Sequence, residues 1–304
     1  MKRALVFPGQ GSQYVGMGQD LFDTHQSVKD LYAQANDILG FDVAEVSFNG
    51  PLEALTETRV TQPALFVNSV ALFSLLPKSY KFALTAGHSL GEFSALYAAG
   101  VLSFEDALAI VKVRSEGMQT AGASQFGTMA AILNMSREDV AKVCKHASSR
   151  GIVQAANYNS PGQIVISGET TAVHYAMEIA KNLGARKALA LNVSGAFHSP
   201  LMSAAKAELS AIIDKTNFKK ARVPIVANVD ASPTSDPEKI KTNLVEQLEN
   251  PVLWEDTVEY MANAGINEII EIGPGKVLQG LVRRINQDMV TGGIASQEQL
   301  EAIA

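Results

Sequence analysis

Gly87-His-Ser-Leu-Gly91 sets a serine in a G-x-S-x-G frame, the spacing of a nucleophile carried on a sharp strand-to-helix turn. The apolar run from Lys81 to Ala86 has strand length, and the apolar spacing from Leu90 to Ala99 predicts a helix closing at Gly100. In that setting the turn pushes the Ser89 hydroxyl outward and the flanking glycines tolerate a strained backbone. The N–H of the following residue, Leu90, can then face a developing oxyanion. The plainer reading makes Ser89 a helix cap on an ordinary turn, and the motif by itself is only moderately specific.

A serine hydroxyl needs a base to take its proton, and histidine is the usual one. Of the five histidines, His88 adjoins the serine but should point away from the line of attack. His25, His146 and His174 fall on helical patterns as face or surface residues. His198 follows Ser194-Gly-Ala-Phe197, where the chain passes between two structural units, a place where clefts form. A cap at that junction is its structural alternative. As a base it would titrate in the ordinary histidine range.

Arg114 is the oddest charge in the chain. Ala107, Val111, Arg114 and Met118 recur at helical spacing, so a guanidinium occupies a seat on an apolar face. It either pairs with a structural carboxylate or receives a substrate carboxylate in bidentate fashion, and spacing alone weighs the two equally. The glycine-rich Pro8-Gly-Gln-Gly-Ser-Gln13 follows a first strand at Ala4–Phe7. It lacks the third glycine of a dinucleotide fingerprint and the Gly-Lys-Ser/Thr of a phosphate loop. It is either a strand-ending turn or a loop lending a backbone N–H to the site.

The elements that must hold these groups belong to a chain of 304 residues, 47% hydrophobic and 18% charged, long enough for one large unit and one smaller. A net charge of -6 and no Lys/Arg-rich tract argue against nonspecific nucleic-acid binding. The single cysteine, Cys144, excludes an internal disulfide, makes a cysteine zinc cluster implausible and suits a reducing compartment. No stretch approaches a membrane span and no signal-like segment precedes the first strand. A cytoplasmic protein is the expectation.

Helical patterns are expected at about 17–37 and 63–76, the latter with Pro63 at an early helical position, and at 104–119 after a cap from Ser103 to Asp106. A glycine-punctuated passage from Gly117 to Gly127 comes next, and the pattern changes after it. Strand, helix, strand, strand, helix and strand then follow in 128–133, 136–147, 152–157, 163–167, 171–182 and 187–192, with a turn at 158–162. That β-α-β-β-α-β order predicts a small ferredoxin-like subdomain, residues 125–196, inserted in a larger one made of 1–124 and 197–304. A helix at 200–215, a strand at 224–229, a helix at 254–264, a strand at 268–272 and a helix to Ile285 complete an α/β fold with a mostly parallel sheet.

Phe7-Pro-Gly-Gln-Gly-Ser-Gln13, Thr61-Gln-Pro-Ala64, Gly87-His-Ser-Leu-Gly-Glu92, Arg114, Gly195-Ala-Phe-His-Ser199, Gln247-x-x-Asn-Pro251 and Glu271-Ile-Gly-Pro-Gly275 stand together in this order. The set resembles the acyltransferase family of malonyl-CoA:acyl carrier protein transacylases and the acyltransferase domains of fatty acid and polyketide synthases, over nearly the whole chain. The resemblance implies an α/β-hydrolase-like core interrupted by the ferredoxin-like subdomain. It implies Ser89 as nucleophile, His198 as general base and acid, and an oxyanion hole from the N–H groups of Gln10 and Leu90. Arg114 would grip the malonyl carboxylate, and the Gln247 main-chain carbonyl would orient the histidine. Phe197 resembles the malonyl-type pattern, with little room for an α-branch.

The implied reaction moves malonyl from malonyl-CoA to the phosphopantetheine thiol of acyl carrier protein through a malonyl-serine intermediate, supplying fatty acid synthesis without metal or redox cofactor. The implied protein is a monomer that engages no nucleic acid and no membrane. Other readings are a serine hydrolase or thioesterase, an acyltransferase of a polyketide pathway, and a non-catalytic acyl-binding subunit. An acidic enzyme must meet an acidic carrier through a local basic patch, either Lys181, Arg186 and Lys187 or Lys276, Arg283 and Arg284.

Overall fold

The computed structural model describes residues 2–124 and 126–303. The expected subdomain boundary at residue 125 and the terminal residues Met1 and Ala304 lie outside the described residues. The strands are β1 (Arg3–Phe7), β2 (Leu84–Gly87), β3 (Gly127–Leu133), β4 (Val153–Ser160), β5 (Gln163–Glu169), β6 (Lys187–Ala190), β7 (Ile225–Val226), β8 (Pro233–Thr234), β9 (Glu268–Ile272) and β10 (Val290–Ile294). They form a six-stranded sheet in the order β10-β9-β1-β2-β7-β8 and a four-stranded sheet in the order β4-β5-β3-β6.

The larger sheet is parallel throughout except for the β7–β8 pair. Helices cover both of its faces, and Ala4, Leu5, Val6, Phe7, Ile269 and Ile272 are all fully buried, so β1 reads as an unbroken apolar run after Arg3. The smaller sheet is antiparallel. Its elements follow the expected β-α-β-β-α-β order, with the helices Arg137–Ala147 and Thr170–Asn182 closing one apolar cluster. The two sheets meet along the chain that follows the helix Pro237–Glu246: Tyr158 donates from its N–H to the Val252 carbonyl and Val252 donates back to Ala156, each at 2.9 Å. Arg137 completes the seam on Glu255 (2.9 Å) and Asp256 (2.8 Å).

Several expectations need correction. The helix expected over 17–37 is two, Gln19–Thr24 and Gln26–Leu39, parted at an extended His25 that hydrogen-bonds Gln297. The helix with Pro63 starts at Thr58, so the proline lies inside it. The helix carrying Arg114 runs from Phe104 to Ser124, five residues beyond its expected end and through part of the glycine-punctuated passage. Those glycines serve close approach: a Cβ on Gly117 would meet Ala205, and one on Gly122 would strike the Ser194 carbonyl. The strand expected over 224–229 is only Ile225–Val226, and β4 runs on to Ser160 through the expected turn. The helices Val43–Asn49 and Pro237–Glu246, capped by Asp42 and Asp236, went unread because short capped helices carry little periodicity. In β10 two glycines dilute the strand signature, and a Cβ on Gly293 would meet the amide end of the Gln279 side chain. Among the described residues no helix is long and apolar enough to cross a membrane.

Candidate active site

The C-terminal ends of β1 and β2 bring the Pro8–Gln13 loop and the Ser89 turn side by side, the usual place for a site on a parallel sheet. Ser89 has φ 51°, a left-handed backbone that costs an L-residue about 1–3 kcal/mol. The strain falls on the serine itself, which corrects the role expected of its glycines. Neither Gly87 nor Gly91 has a positive φ. They are glycines because there is no room: a Cβ on Gly87 would strike the Gly91 carbonyl, and one on Gly91 the Phe7 carbonyl. Strand, turn and helix Gly91–Ala98 can therefore pack at backbone contact.

His198 also has a positive φ, 56°, and is 3% exposed. Its Nδ1 lies 2.8 Å from the Gln247 carbonyl and its Nε2 lies 2.8 Å from Ser89 Oγ. A carbonyl can only accept, so Nδ1 carries the proton and Nε2 presents its lone pair to the serine hydroxyl. Burial, reinforced by the Arg114 charge, holds the imidazolium down to about 3, against the ordinary range expected from sequence. The imidazole is thus neutral and ready to accept a proton at neutral pH.

Arg114 is completely buried on the helix Phe104–Ser124 among Ala107, Val111 and Met118. It donates to Gln62 Oε1 (2.7 Å), Gln247 Oε1 (2.8 Å) and Ser89 Oγ (3.1 Å). Its Nε has no partner, and among the described residues it makes no salt bridge. Burial lowers it to about 10, so it stays charged at neutral pH. A buried cation touching the reactive hydroxyl but no carboxylate suits an anionic acyl group bound there.

A cavity of about 110 Å³ opens beside Ser89, with Gln10, Leu90, Phe197 and His198 in its wall. The backbone N–H groups of Gln10 and Leu90 donate to no other described group. The Ser89 N–H is not free, because Asn228 Oδ1 takes it at 2.7 Å. Larger cavities exist, one of about 630 Å³ between Phe73, Phe82, Tyr97 and Arg222, but that one opens near the start of β2, away from Ser89 and His198. His88 turns aside to Asn159 Oδ1 at 2.8 Å, and His146 and His174 are exposed on their helices. Among the described residues no three His, Cys, Asp or Glu side chains converge as a metal site.

Sequence reasoning passed over Asn157 in the cavity wall, Gln154, Asn228 and the side chains of Gln62, Glu92 and Gln247. Glu92 carried a signal: it is a buried acid in the otherwise apolar helix Gly91–Ala98, the same anomaly that exposed Arg114. Burial raises it to about 7 despite hydrogen bonds from Asn228 and Gln247 and the nearby Arg114.

The sequence pattern of the acyl transferase domain family matches residues 4–298. The chain is 42% identical over 301 residues to a malonyl CoA-acyl carrier protein transacylase of Staphylococcus aureus (strain COL), covering 99% of this chain and 97% of the relative. It is 43% identical over 302 residues to the protein of the same name from Bacillus subtilis (strain 168), covering 99% and 95%. Among solved structures, an acyl carrier protein S-malonyltransferase from Vibrio cholerae O1 biovar eltor superposes with a TM-score of 0.96 at 41% identity, covering 100% of both chains. A malonyl-transacylase in complex with a type II PKS acyl-carrier protein superposes with a TM-score of 0.96 at 39% identity, covering 100% of this chain and 99% of the other. With its fold, its motifs and nearly its whole length matched, this chain belongs to the acyl transferase domain family.

Proposed function

We propose that this enzyme moves the malonyl group from malonyl-CoA to the phosphopantetheine thiol of acyl carrier protein through an ester on Ser89. The observation that carries the reading is the contact of the buried Arg114, which makes no salt bridge among the described residues, with Ser89 Oγ at 3.1 Å. It sets a receptor for a free carboxylate beside the atom that attacks.

Ser89 Oγ attacks the thioester carbonyl and passes its proton to His198 Nε2, while the N–H groups of Gln10 and Leu90 take the oxyanion. The C–S bond breaks, His198 returns the proton to the departing CoA sulfur, and a malonyl ester remains on Ser89. The carrier's thiol then loses its proton to His198, attacks the ester carbonyl and leaves as the malonyl thioester, restoring the Ser89 hydroxyl. One thioester is exchanged for another, so the cycle needs neither metal nor redox cofactor. The Gln247 carbonyl holds the imidazole, and Phe197 narrows the pocket around the acyl α-carbon. A hydrolase has no use for Arg114, and this separates the two readings of the serine.

The same reading treats residues 1–124 and 197–304 as an α/β-hydrolase-like unit and 125–196 as an inserted ferredoxin-like unit, with the pocket between them. The carrier docks on an exposed basic patch, either Lys181, Arg186 and Lys187 or Lys276, Arg283 and Arg284; of the second set Lys276 follows β9 at the Ser89 end of the sheet, and Arg283 lies back beside Thr291 near the start of β10. The test is exchange of labelled CoA into malonyl-CoA with no carrier present, alongside two-substrate kinetics. Exchange with parallel double-reciprocal lines is the expected result, and transfer that requires both substrates at once contradicts it.

A further inference from the structure

Behind the Ser89 turn, Asn228, Glu92 and Gln247 form a hydrogen-bonded unit to which the cycle above assigns no side-chain part. Asn228 is completely buried. Its Oδ1 accepts from the Ser89 N–H at 2.7 Å and its Nδ2 donates to the Gly87 carbonyl at 2.6 Å, so one side chain fastens the turn on both sides of His88. Glu92, 2% exposed, accepts at one oxygen, Oε2, from the Asn228 backbone N–H (3.1 Å) and from Gln247 Nε2 (2.7 Å). The Gln247 amide group also reaches the Ser89 carbonyl at 3.2 Å and Asn228 Oδ1 at 3.3 Å. Facing three acceptors, its NH₂ must point toward the turn, which leaves its Oε1 to receive Arg114 at 2.8 Å.

We infer that Asn228 and Glu92 are positioning residues with separate duties. Asn228 holds the left-handed Ser89 backbone ready for attack, and Glu92, by orienting the Gln247 amide, aims Arg114 at the acyl carboxylate. The inference rests on the reading of Ser89 as nucleophile and Arg114 as carboxylate receptor. Both bonds to Glu92 enter a single oxygen, and burial raises this carboxyl to about 7. What the unit requires is therefore an accepting oxygen at that point, which the amide oxygen of a glutamine also offers.

The experiment measures single-turnover acylation from malonyl-CoA and acetyl-CoA, with circular dichroism to report the folded fraction. Asn228→Ala slows both donors alike by roughly 10²-fold, the cost of a slightly misplaced nucleophile, and leaves their ratio unchanged. Glu92→Leu compresses the malonyl-over-acetyl preference by about tenfold, the loss of one well-aimed bond to a charged group, and Glu92→Gln restores it. Should Asn228→Ala not fold, the same-sized Asn228→Asp keeps the acceptor for Ser89 but loses the donor to Gly87, and it slows both donors equally. Wild-type acylation in the folded Asn228 variant, an unchanged donor ratio in Glu92→Leu, or losses that only track the folded fraction overturn the inference. A wild-type enzyme that forms no Ser89 adduct overturns instead the reading on which it rests.

Discussion

The two halves of the proposed proton-transfer pair are built in opposite ways. Both Ser89 and His198 hold left-handed backbones that L-residues avoid, yet the serine has a short local frame that Asn228 fastens from a distance, whereas the histidine has distant supports alone. Ser89 sits between β2 and the helix Gly91–Ala98, with Gly91 donating to the His88 carbonyl at 2.9 Å and bare glycines allowing backbone contact. His198 lies in a connecting segment whose ring is held by Gln247 and whose carbonyl is held by Gln154 of β4 at 2.9 Å. The Gln154 amide also reaches the Glu249 carbonyl at 2.9 Å, so one side chain of the smaller sheet ties the histidine segment to the chain just after Gln247. The nucleophile's turn is framed by its own five residues and then fastened by Asn228 and Gln247. Its base is fixed by the assembly of the whole chain.

The largest expected effect breaks the pair at the base. His198→Ala should lower acylation by about 10² to 10⁴ while the fold and the Gln10 and Leu90 donors stay in place, as single-turnover kinetics will report. Because burial keeps the wild-type imidazole neutral down to about 3, the base is available throughout the neutral range. The acid limb caused by protonation of His198 should accordingly lie well below the ordinary histidine range. A step near neutrality that survives in His198→Ala and disappears in Glu92→Gln would belong to Glu92, whose carboxyl is raised to about 7.

Arg114→Ala comes next, and it acts on neither half but on what both address. Losing charge-assisted bonds to a buried carboxylate costs about 1.5–3 kcal/mol. Malonyl transfer should fall and the gap between malonyl and acetyl donors should narrow, as competition between the two donors will measure. An unchanged preference contradicts the assignment.

Gly91→Ala and Gln154→Ala sharpen the contrast between local and distant support. A methyl at Gly91 meets the Phe7 backbone, which cannot yield as a side chain can, so a loss of about 1–3 kcal/mol or more in thermal or urea unfolding is expected together with loss of acylation. Gln154→Ala should cost about 1 kcal/mol and act mainly on proton transfer, since it frees the histidine segment and leaves the serine turn untouched. A Gln154→Ala enzyme with wild-type acylation would mean that Gln247 alone holds the base.

The same division decides how much was legible in the sequence. Gly87-His-Ser-Leu-Gly91 announced its turn because the turn's frame lies within a strand, five residues and a helix, although the Asn228 side chain that fastens it does not. Arg114 was visible as a charge in an apolar period, and the β-α-β-β-α-β order of the smaller sheet as alternating elements. Gly87 and Gly91 serve close approach and not relief of strain, and the helix expected to stop near 119 runs on to Ser124 past Gly122, because close approach depends on what packs opposite, here Phe7, Ala205 and Ser194. The roles of Gln154, Asn228, Glu92 and the Gln247 side chain were out of reach for the same reason. Their partners lie 44, 139, 155 and 133 residues away in hydrogen bonds that no local period records.

The central claim is that a malonyl ester forms on Ser89, and intact-protein mass measurement tests it most directly. Wild-type enzyme incubated with malonyl-CoA should gain the mass of one malonyl group, lose it on addition of acyl carrier protein, and yield a modified peptide that contains Ser89. Ser89→Ala should gain nothing under the same conditions. A stable malonyl adduct on the Ser89→Ala protein, or transfer to the carrier by that variant at the wild-type rate, would contradict the account.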